Sequence, residues 1–252
     1  MSEPTRQPLA GKTVLITGGA RRIGAEIART LHGAGANIVL HYRSSEADAK
    51  ALQSELERAR SGSVCCVQAD LLDVRTHARV VDAAREAFGR LDVLVNNAST
   101  FYPTTLGEIT EAHWDELVGT NLKVPLFLSQ AAAAALRAAR GLVINLVDIH
   151  AFRPLRRYPV YCAAKAGLVM LTKSLARELA PEVRVNGIAP GPVLWPEDGL
   201  QPEVQAHIID RTLLKRPGSP QDIARTALFF AADAPYVTGQ ILAVDGGRSV
   251  AW

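Results

Sequence analysis

Thr13-Val14-Leu15-Ile16-Thr17-Gly18-Gly19-Ala20-Arg21-Arg22-Ile23-Gly24 is the stretch whose reading decides the fold. Residues 13–17 are aliphatic or β-branched and read as a strand, and from 22 to 31 the apolar residues recur at helical spacing. Glycines between the two let the chain turn tightly and let the amino end of the helix face a pyrophosphate, whose charge suits the unpaired amides there. Placement after the first strand and before an amphipathic helix separates this run from an ordinary Gly-rich turn. Arg22 stands where the usual fingerprint has its middle glycine, which removes a close backbone approach and adds a cation for phosphate.

Outward from this turn, short apolar runs alternate with helix-period stretches. Strands are expected over 37–42, 64–68, 93–96, 142–147, 183–188 and 241–244, and helices over 46–60, 74–88, 125–140, 159–179 and 221–232. Gly33 to Gly35, Gly89 and Gly141 fall where helices should stop. Such alternation implies an α/β protein with a doubly wound parallel sheet covered on both faces. No linker divides the chain, so one domain is expected over 9–252, with residues 1–8 as a loose arm. The non-periodic stretch 190–201 follows a strand end and is a candidate substrate lid, reaching to about 215.

Composition narrows the function classes. The 252 residues carry 28 Lys+Arg against 25 Asp+Glu, a net charge of +3 with the signs interleaved, which argues against a nucleic-acid or polybasic membrane surface. Cys65, Cys66 and Cys162 show no metal spacing, and the six histidines form no ligand pair, so no metal is expected. The opening residues lack an apolar leader core, and no apolar run reaches the ~18–20 residues of a membrane span. A soluble cytoplasmic enzyme is the expectation.

The second strand ends in His41-Tyr42-Arg43-Ser44-Ser45. A site for NAD would be expected to place a carboxylate here for the ribose hydroxyls. Arg43, with Arg21 available from the first turn and two hydroxyls beside it, suits a 2′-phosphate instead and favours NADP. Asp70-Leu71 ends the third strand, where it can meet the adenine ring or serve as an ordinary cap.

Tyr161 and Lys165 stand four residues apart in a helix-period segment and so share a face. A free phenol has a pKa of ~10 and can donate a proton during reduction. A nearby ammonium favours the tyrosinate that forms. The pair gains specificity from Asn96-Asn97-Ala98 at the end of the fourth strand and from Asn121.

Together these residues resemble the short-chain dehydrogenase/reductase family over nearly the whole chain. The matching motifs are residues 17–24, Asp70, Asn96-Asn97-Ala98, Asn121, Tyr161 with Lys165, Pro190-Gly191, and Val237-Thr238-Gly239-Gln240 with Asp245-Gly246-Gly247. The resemblance implies a single Rossmann-type domain, hydride transfer from a nicotinamide, a relay of Tyr161, Lys165 and Asn121, and a homotetramer built partly on paired helices. It implies cofactor contacts from Gly18, Arg21, Arg22, Ile23, Gly24, Tyr42, Arg43, Ser44, Asp70, Leu71, Asn97, Ala98 and Ser99, and from Tyr161, Lys165, Pro190 and Gly191.

Two departures sharpen the reading. Arg22 replaces the usual Gly, and Asp148, thirteen residues before Tyr161, replaces the usual Ser. A serine hydroxyl can donate to a developing alkoxide, whereas an ionised Asp cannot and opposes it. Asp148 therefore suits an imine-like substrate whose nitrogen gains a proton, or amino groups from which it can accept. Both departures resemble the pteridine reductase branch, as do His41-Tyr42-Arg43-Ser44 and the run from Asn96 through Ser99 and Phe101 to Thr104. That branch implies that Phe101 stacks on a pterin and that Ser99 touches pterin and cofactor, with Asp148 and Tyr161 also contacting substrate. The expected activity is NADPH-dependent reduction of a dihydropterin or dihydrofolate. A carbonyl or 3-oxoacyl reductase is the alternative, and a sensor that binds NADP without turnover is a distant third. Whether the tail residues Arg248 and Trp252 reach a neighbouring subunit's site is left open by the resemblance.

Overall fold

Val14 and Ile16 are packed on one side of the first strand and Leu15 on the other, all fully buried, so this run can only be an interior strand. The computed structural model describes residues 7–195 and 199–251; residues 1–6 of the expected arm, 196–198 of the expected lid and Trp252 lie outside the described residues. In chain order the elements are β1 (Thr13–Ile16), α1 (Arg22–Gly33), β2 (Asn37–Tyr42), α2 (Glu46–Ala59), β3 (Val64–Gln68), α3 (His77–Phe88), β4 (Val93–Asn96) and α4 (Glu111–Val118). There follow α5 (Val124–Ala139), β5 (Leu142–Leu146), α6 (Pro159–Leu179), β6 (Arg184–Pro190), α7 (Pro202–Asp210), α8 (Pro220–Ala232) and β7 (Ile241–Val244).

The sheet has seven strands in the order β3-β2-β1-β4-β5-β6-β7, and every neighbouring pair is parallel. Helices α1, α2 and α8 cover one face, where Ile27, Leu31 and Phe230 meet Val14, Ile16 and Val95. Helices α3, α5 and α6 cover the other, where Val80, Leu128 and Leu136 meet Leu15, Leu94 and Val143. The expected α/β architecture is thus the observed one, a Rossmann-type doubly wound sheet. At its centre Asp92 ties β1 to β4, accepting the Thr13 N–H at 2.9 Å and pairing with Arg90 and Lys12. Burial alone would raise the Asp92 carboxyl, but Arg90, the Thr13 amide and Lys12 hold it below the usual carboxylate range.

Three details differ from the sequence expectation. The helix expected from 74 begins as a 3₁₀ turn, Val74–Thr76, before α3. Helices α4 and α7 lie in stretches not expected to be helical. The left-handed residue that ends α5 is Arg140 (φ 51°) rather than Gly141, because Gly141 answers a packing need: a Cβ there would sit 2.4 Å from the Asp92 carbonyl oxygen. No helix among the described residues is long and apolar enough to cross a membrane.

The strand order reverses between β1 and β4. The turns after these two strands diverge to opposite faces there, leaving a crevice at the carboxyl edge of the sheet.

Candidate active site

At that crevice lies a cleft of about 380 Å³. Gly18, Arg21, Arg22, Ile23 and Gly24 form one wall, Tyr42, Arg43, Ser44, Asp70 and Leu71 the second, and Asn97, Ala98 and Ser99 the third. The glycines are needed for approach. A Cβ on Gly24 would lie 2.4 Å from the Gly18 carbonyl oxygen and 2.6 Å from Asn97 Nδ2, which donates to the carbonyls of Thr17 and Gly18. Gly18 itself has φ +58°, the left-handed region that side chains disfavour.

The amino end of α1 is prepared for an anion. Its cap residue, Arg21, makes no side-chain capping bond, and no acidic residue stands in the first turn. The opening amides and the positive end of the helix dipole are therefore offered to a ligand. Arg22 holds φ +54°, the conformation that favours glycine at this position, and its guanidinium donates to the Trp195 carbonyl at 3.0 Å, joining the turn to the start of the expected lid. Arg21 lies 3.8 Å from Asp48, and Arg43 is exposed at the end of β2 with no ion pair to a described residue.

Sequence reasoning missed His41. Its ring is buried beneath the turn, with Nδ1 accepting the Gly18 N–H at 3.2 Å, so the proton lies on Nε2, which donates to the Ala69 carbonyl at 3.1 Å. Burial lowers its pKa to about 4, which keeps the ring neutral and the acceptor in place. Its place within β2, between Leu40 and Tyr42, both buried in apolar clusters, was the available signal.

Beyond the cleft the second group of residues converges. Tyr161 and Lys165 lie on the same face of α6, as their spacing requires, and Asp148 ends the chain segment after β5. The Tyr161 hydroxyl donates to Asp148 Oδ2 at 2.8 Å, while Oδ1 accepts the His150 N–H at 2.7 Å. Burial and the adjacent Asp148 carboxylate push the Tyr161 phenol well above its usual pKa, with Ser99 working weakly the other way. Lys165 is buried, donates to the Leu146 carbonyl at 2.8 Å and stands 5.7 Å from the centre of the Tyr161 ring. Burial lowers its pKa to about 8, and Asp148 partly offsets this.

Asn121 sits in a π-helical turn, Gly119–Lys123, that interrupts the passage from α4 to α5. Its amide donates to the carbonyls of Leu117 and Thr100, and its oxygen accepts the Ser99 hydroxyl at 2.6 Å. Phe101 is 47% exposed, stacked on Tyr158 with ring centres 4.5 Å apart and edge-on to Tyr161 at 4.8 Å. One face of Phe101 is thus already covered by Tyr158, a residue not anticipated from sequence. Pro190 and Gly191 end β6 beside Val244, outside the walls of the cleft. Asp70 lines the cleft and also accepts the Leu72 N–H, so the binding and capping positions coincide.

Comparison with known proteins places this geometry in a family. The model described as enoyl-(acyl carrier protein) reductase, one of the short-chain dehydrogenase type, matches residues 18–249. The chain belongs to the short-chain dehydrogenase/reductase family. It is 35% identical to pteridine reductase 1 of Leishmania tarentolae, over 98% of this chain and 99% of that protein. It is 36% identical to 3beta-hydroxysteroid dehydrogenase 1 of Eggerthella lenta, covering 96% of this chain and 95% of that one. It is also 36% identical to a 3-oxoacyl-[acyl-carrier-protein] reductase of Staphylococcus aureus, covering 94% and 97%. As a short-chain reductase the protein is an oxidoreductase that uses a nicotinamide cofactor. The uncapped helix end, the glycines that admit a close backbone approach and the arginines at the cleft rim fit such a dinucleotide.

Proposed function

We propose that this short-chain reductase is an NADPH-dependent pteridine reductase acting on a dihydropterin or dihydrofolate. The observation that carries the reading is the carboxylate of Asp148, at 2.8 Å from the Tyr161 hydroxyl, in the place where a hydroxyl would serve a ketone. A carboxylate beside a carbonyl opposes an alkoxide, while a ring nitrogen that gains a proton is welcomed by it. The chain's similarity to a pteridine reductase supports this.

NADPH is favoured over NADH by Arg43 and Arg21 at the cleft rim, where a 2′-phosphate finds cations and no opposing carboxylate on the β2 end. Gly18, Ile23, Gly24 and Arg22 would hold the pyrophosphate, Tyr42 and Ser44 the phosphorylated ribose, Asp70 and Leu71 the adenine, and Asn97, Ala98, Pro190 and Gly191 the nicotinamide half. When bound, the nicotinamide supplies a hydride to a carbon of the substrate's pyrazine ring. Asp148 relays a proton, drawn from solvent, to the adjacent ring nitrogen. Tyr161 keeps its own proton, orients the carboxylate and faces the substrate. Lys165 holds the nicotinamide ribose, and Asn121 fixes Ser99, which touches both substrate and cofactor. Phe101 presents its remaining exposed face to the flat heterocycle.

The test is a panel of dihydrobiopterin, dihydrofolate, 3-oxoacyl thioesters and simple ketones, each with NADPH and with NADH. The proposal expects NADPH oxidation with the pterins. A second reading, a carbonyl or 3-oxoacyl reductase, draws on the equally similar hydroxysteroid and 3-oxoacyl relatives, and the same panel decides it. We also propose a cytoplasmic homotetramer. Free Cys65, Cys66 and Cys162 support a reducing compartment, and exposed Leu126, Phe127 and Met170 on α5 and α6 support helix pairing between subunits; light scattering tests the assembly.

A further inference from the structure

The segment that follows β4 carries Phe101, and its exposure alternates residue by residue. Ser99, Phe101 and Pro103 are exposed, Thr100 and Tyr102 are half-buried, and Thr104 is buried. An extended chain turns successive side chains to opposite sides, so one side of this segment faces outward and the other lies against the protein.

Every second residue is tied down. The Thr100 carbonyl accepts the Asn121 amide at 3.0 Å. The Tyr102 hydroxyl donates to Glu116 Oε2, on α4, at 2.9 Å. The Thr104 N–H donates to the Arg157 carbonyl at 2.6 Å, beside the Tyr158 ring on which Phe101 stacks. The ties at Thr100 and Thr104 use main-chain atoms of the segment, which any residue would offer. The tie at Tyr102, next to Phe101 itself, joins two side chains and therefore depends on this sequence.

That contact is supported on both sides. Burial, then the bond to Glu116 and its charge, push the Tyr102 phenol up to about 12, so the hydroxyl keeps its proton and remains the donor. The Tyr102 ring also lies edge-on to His113, with centres 5.9 Å apart, on the same face of α4 as Glu116. His113 is fixed in turn by the box that caps this helix: its Nδ1 accepts the Thr110 N–H, and its own N–H donates to the Thr110 hydroxyl. Helix α4 runs directly into the turn that holds Asn121, so the ties at Thr100 and Tyr102 come from one continuous length of chain.

We propose that Tyr102 and Glu116 are positioning residues, a latch that fixes the height and tilt of the Phe101 ring and so sets the affinity for a flat heterocycle. This rests on the pteridine reductase reading, which gives Phe101 a ring to stack on, and names a determinant of substrate affinity within it. Stacking depends on the separation and tilt of the two rings, so a loosened Phe101 holds the heterocycle less tightly. Neither Tyr102 nor Glu116 lines the cleft at the carboxyl edge of the sheet, so cofactor affinity does not depend on them.

The experiment measures KM and kcat for dihydrobiopterin, KM for NADPH, and calorimetric binding of biopterin with NADP+ present, which supplies no hydride. It compares the wild type with Tyr102→Phe, Glu116→Leu and Glu116→Gln. Tyr102→Phe guards against misfolding, because it removes only the hydroxyl and leaves the ring against His113. Tyr102→Phe and Glu116→Leu should each raise KM for dihydrobiopterin and weaken biopterin binding by about 10-fold, the lower end for losing a hydrogen bond to a charged group, with kcat and KM for NADPH near wild type. Glu116→Gln keeps an oxygen that accepts the hydroxyl and should recover most of the loss. Unchanged KM and binding in Tyr102→Phe and Glu116→Leu overturn the latch, while pterin turnover leaves the functional reading standing. A matching rise in KM for NADPH, or a Glu116→Gln variant no better than Glu116→Leu, overturns the latch in favour of general damage. Latch-dependent binding of biopterin without turnover of any pterin supports the latch and overturns the functional reading. A wild type that neither binds nor reduces a pterin overturns both.

Discussion

The Tyr161 hydroxyl donates its hydrogen bond to Asp148 Oδ2, at 2.8 Å, and the other oxygen of that carboxylate is fixed by the His150 N–H at 2.7 Å. The carboxylate is thus held in one orientation from both sides, with its negative charge keeping the proton on the phenol. In this arrangement Tyr161 is a poor first donor to a substrate, and the proposed route for the proton therefore runs through Asp148.

Asp148→Asn should therefore lower kcat for a dihydropterin by about 10²–10⁴-fold, the usual worth of a general acid. Steady-state NADPH oxidation checks this. An Asn variant retaining full pterin turnover would sink the proton role, since its amide keeps a similar shape without carrying the proton.

Arg43 sets the second expectation. Arg43→Glu should raise KM for NADPH by about 10–100-fold, the range for losing a charge-assisted bond. KM for NADH should change far less. Measuring both cofactors in one preparation separates this from general damage, which would raise the two together.

How far the sequence discloses such sites differs from residue to residue. The walls of the cleft at the carboxyl edge of the sheet were legible because they stand at strand ends and in the turn after β1, where spacing alone fixes position. Helix α4 escaped because it has only eight residues, a single buried one, and a capping box whose reciprocal partner is His113 rather than Glu or Gln. Helix α7 buries no residue, so it leaves no apolar stripe to read. Tyr158 was missed because it meets Phe101 from a distant segment that only the folded chain brings beside it. Arg140 was missed because its left-handed turn carries no glycine.

Gly24→Ala tests the cleft's geometry. Alanine is the better helix former by about 1 kcal/mol, so propensity alone would stabilise α1. The added Cβ would instead meet the Gly18 oxygen at 2.4 Å and Asn97 Nδ2 at 2.6 Å. Cofactor titration by nicotinamide fluorescence should show binding weakened at least 10-fold.

His41 links the same turn to pH. Its folded pKa is about 4, and an unfolded histidine titrates near ~6.5. Between these values the unfolded chain binds the proton and the folded chain does not. Stability is therefore complete above pH ~6.5 and lost as pH falls towards 4, by up to roughly 3 kcal/mol. Urea denaturation from pH 7 to 4 should show a shallower loss in His41→Asn than in the wild type.

Lys165 behaves in the opposite range. With a folded pKa of about 8 against an unfolded ~10.4, its buried charge is a burden that lifts as pH rises through that window, so its contribution to stability improves there. The ammonium that holds the ribose in the proposed function disappears over the same rise. Cofactor affinity should fall above about pH 8, and Lys165→Met should bind weakly at every pH.

The central claim is that the Asp148 carboxylate, bonded to Tyr161, commits this short-chain reductase to a substrate nitrogen rather than a ketone oxygen. The ratio of kcat/KM for dihydropterins to that for 3-oxoacyl thioesters, measured with NADPH on the wild-type protein, tests it directly. The account predicts a ratio well above one that falls towards or below one in Asp148→Ser. A wild-type protein that reduces the thioester and leaves the pterins untouched would contradict it.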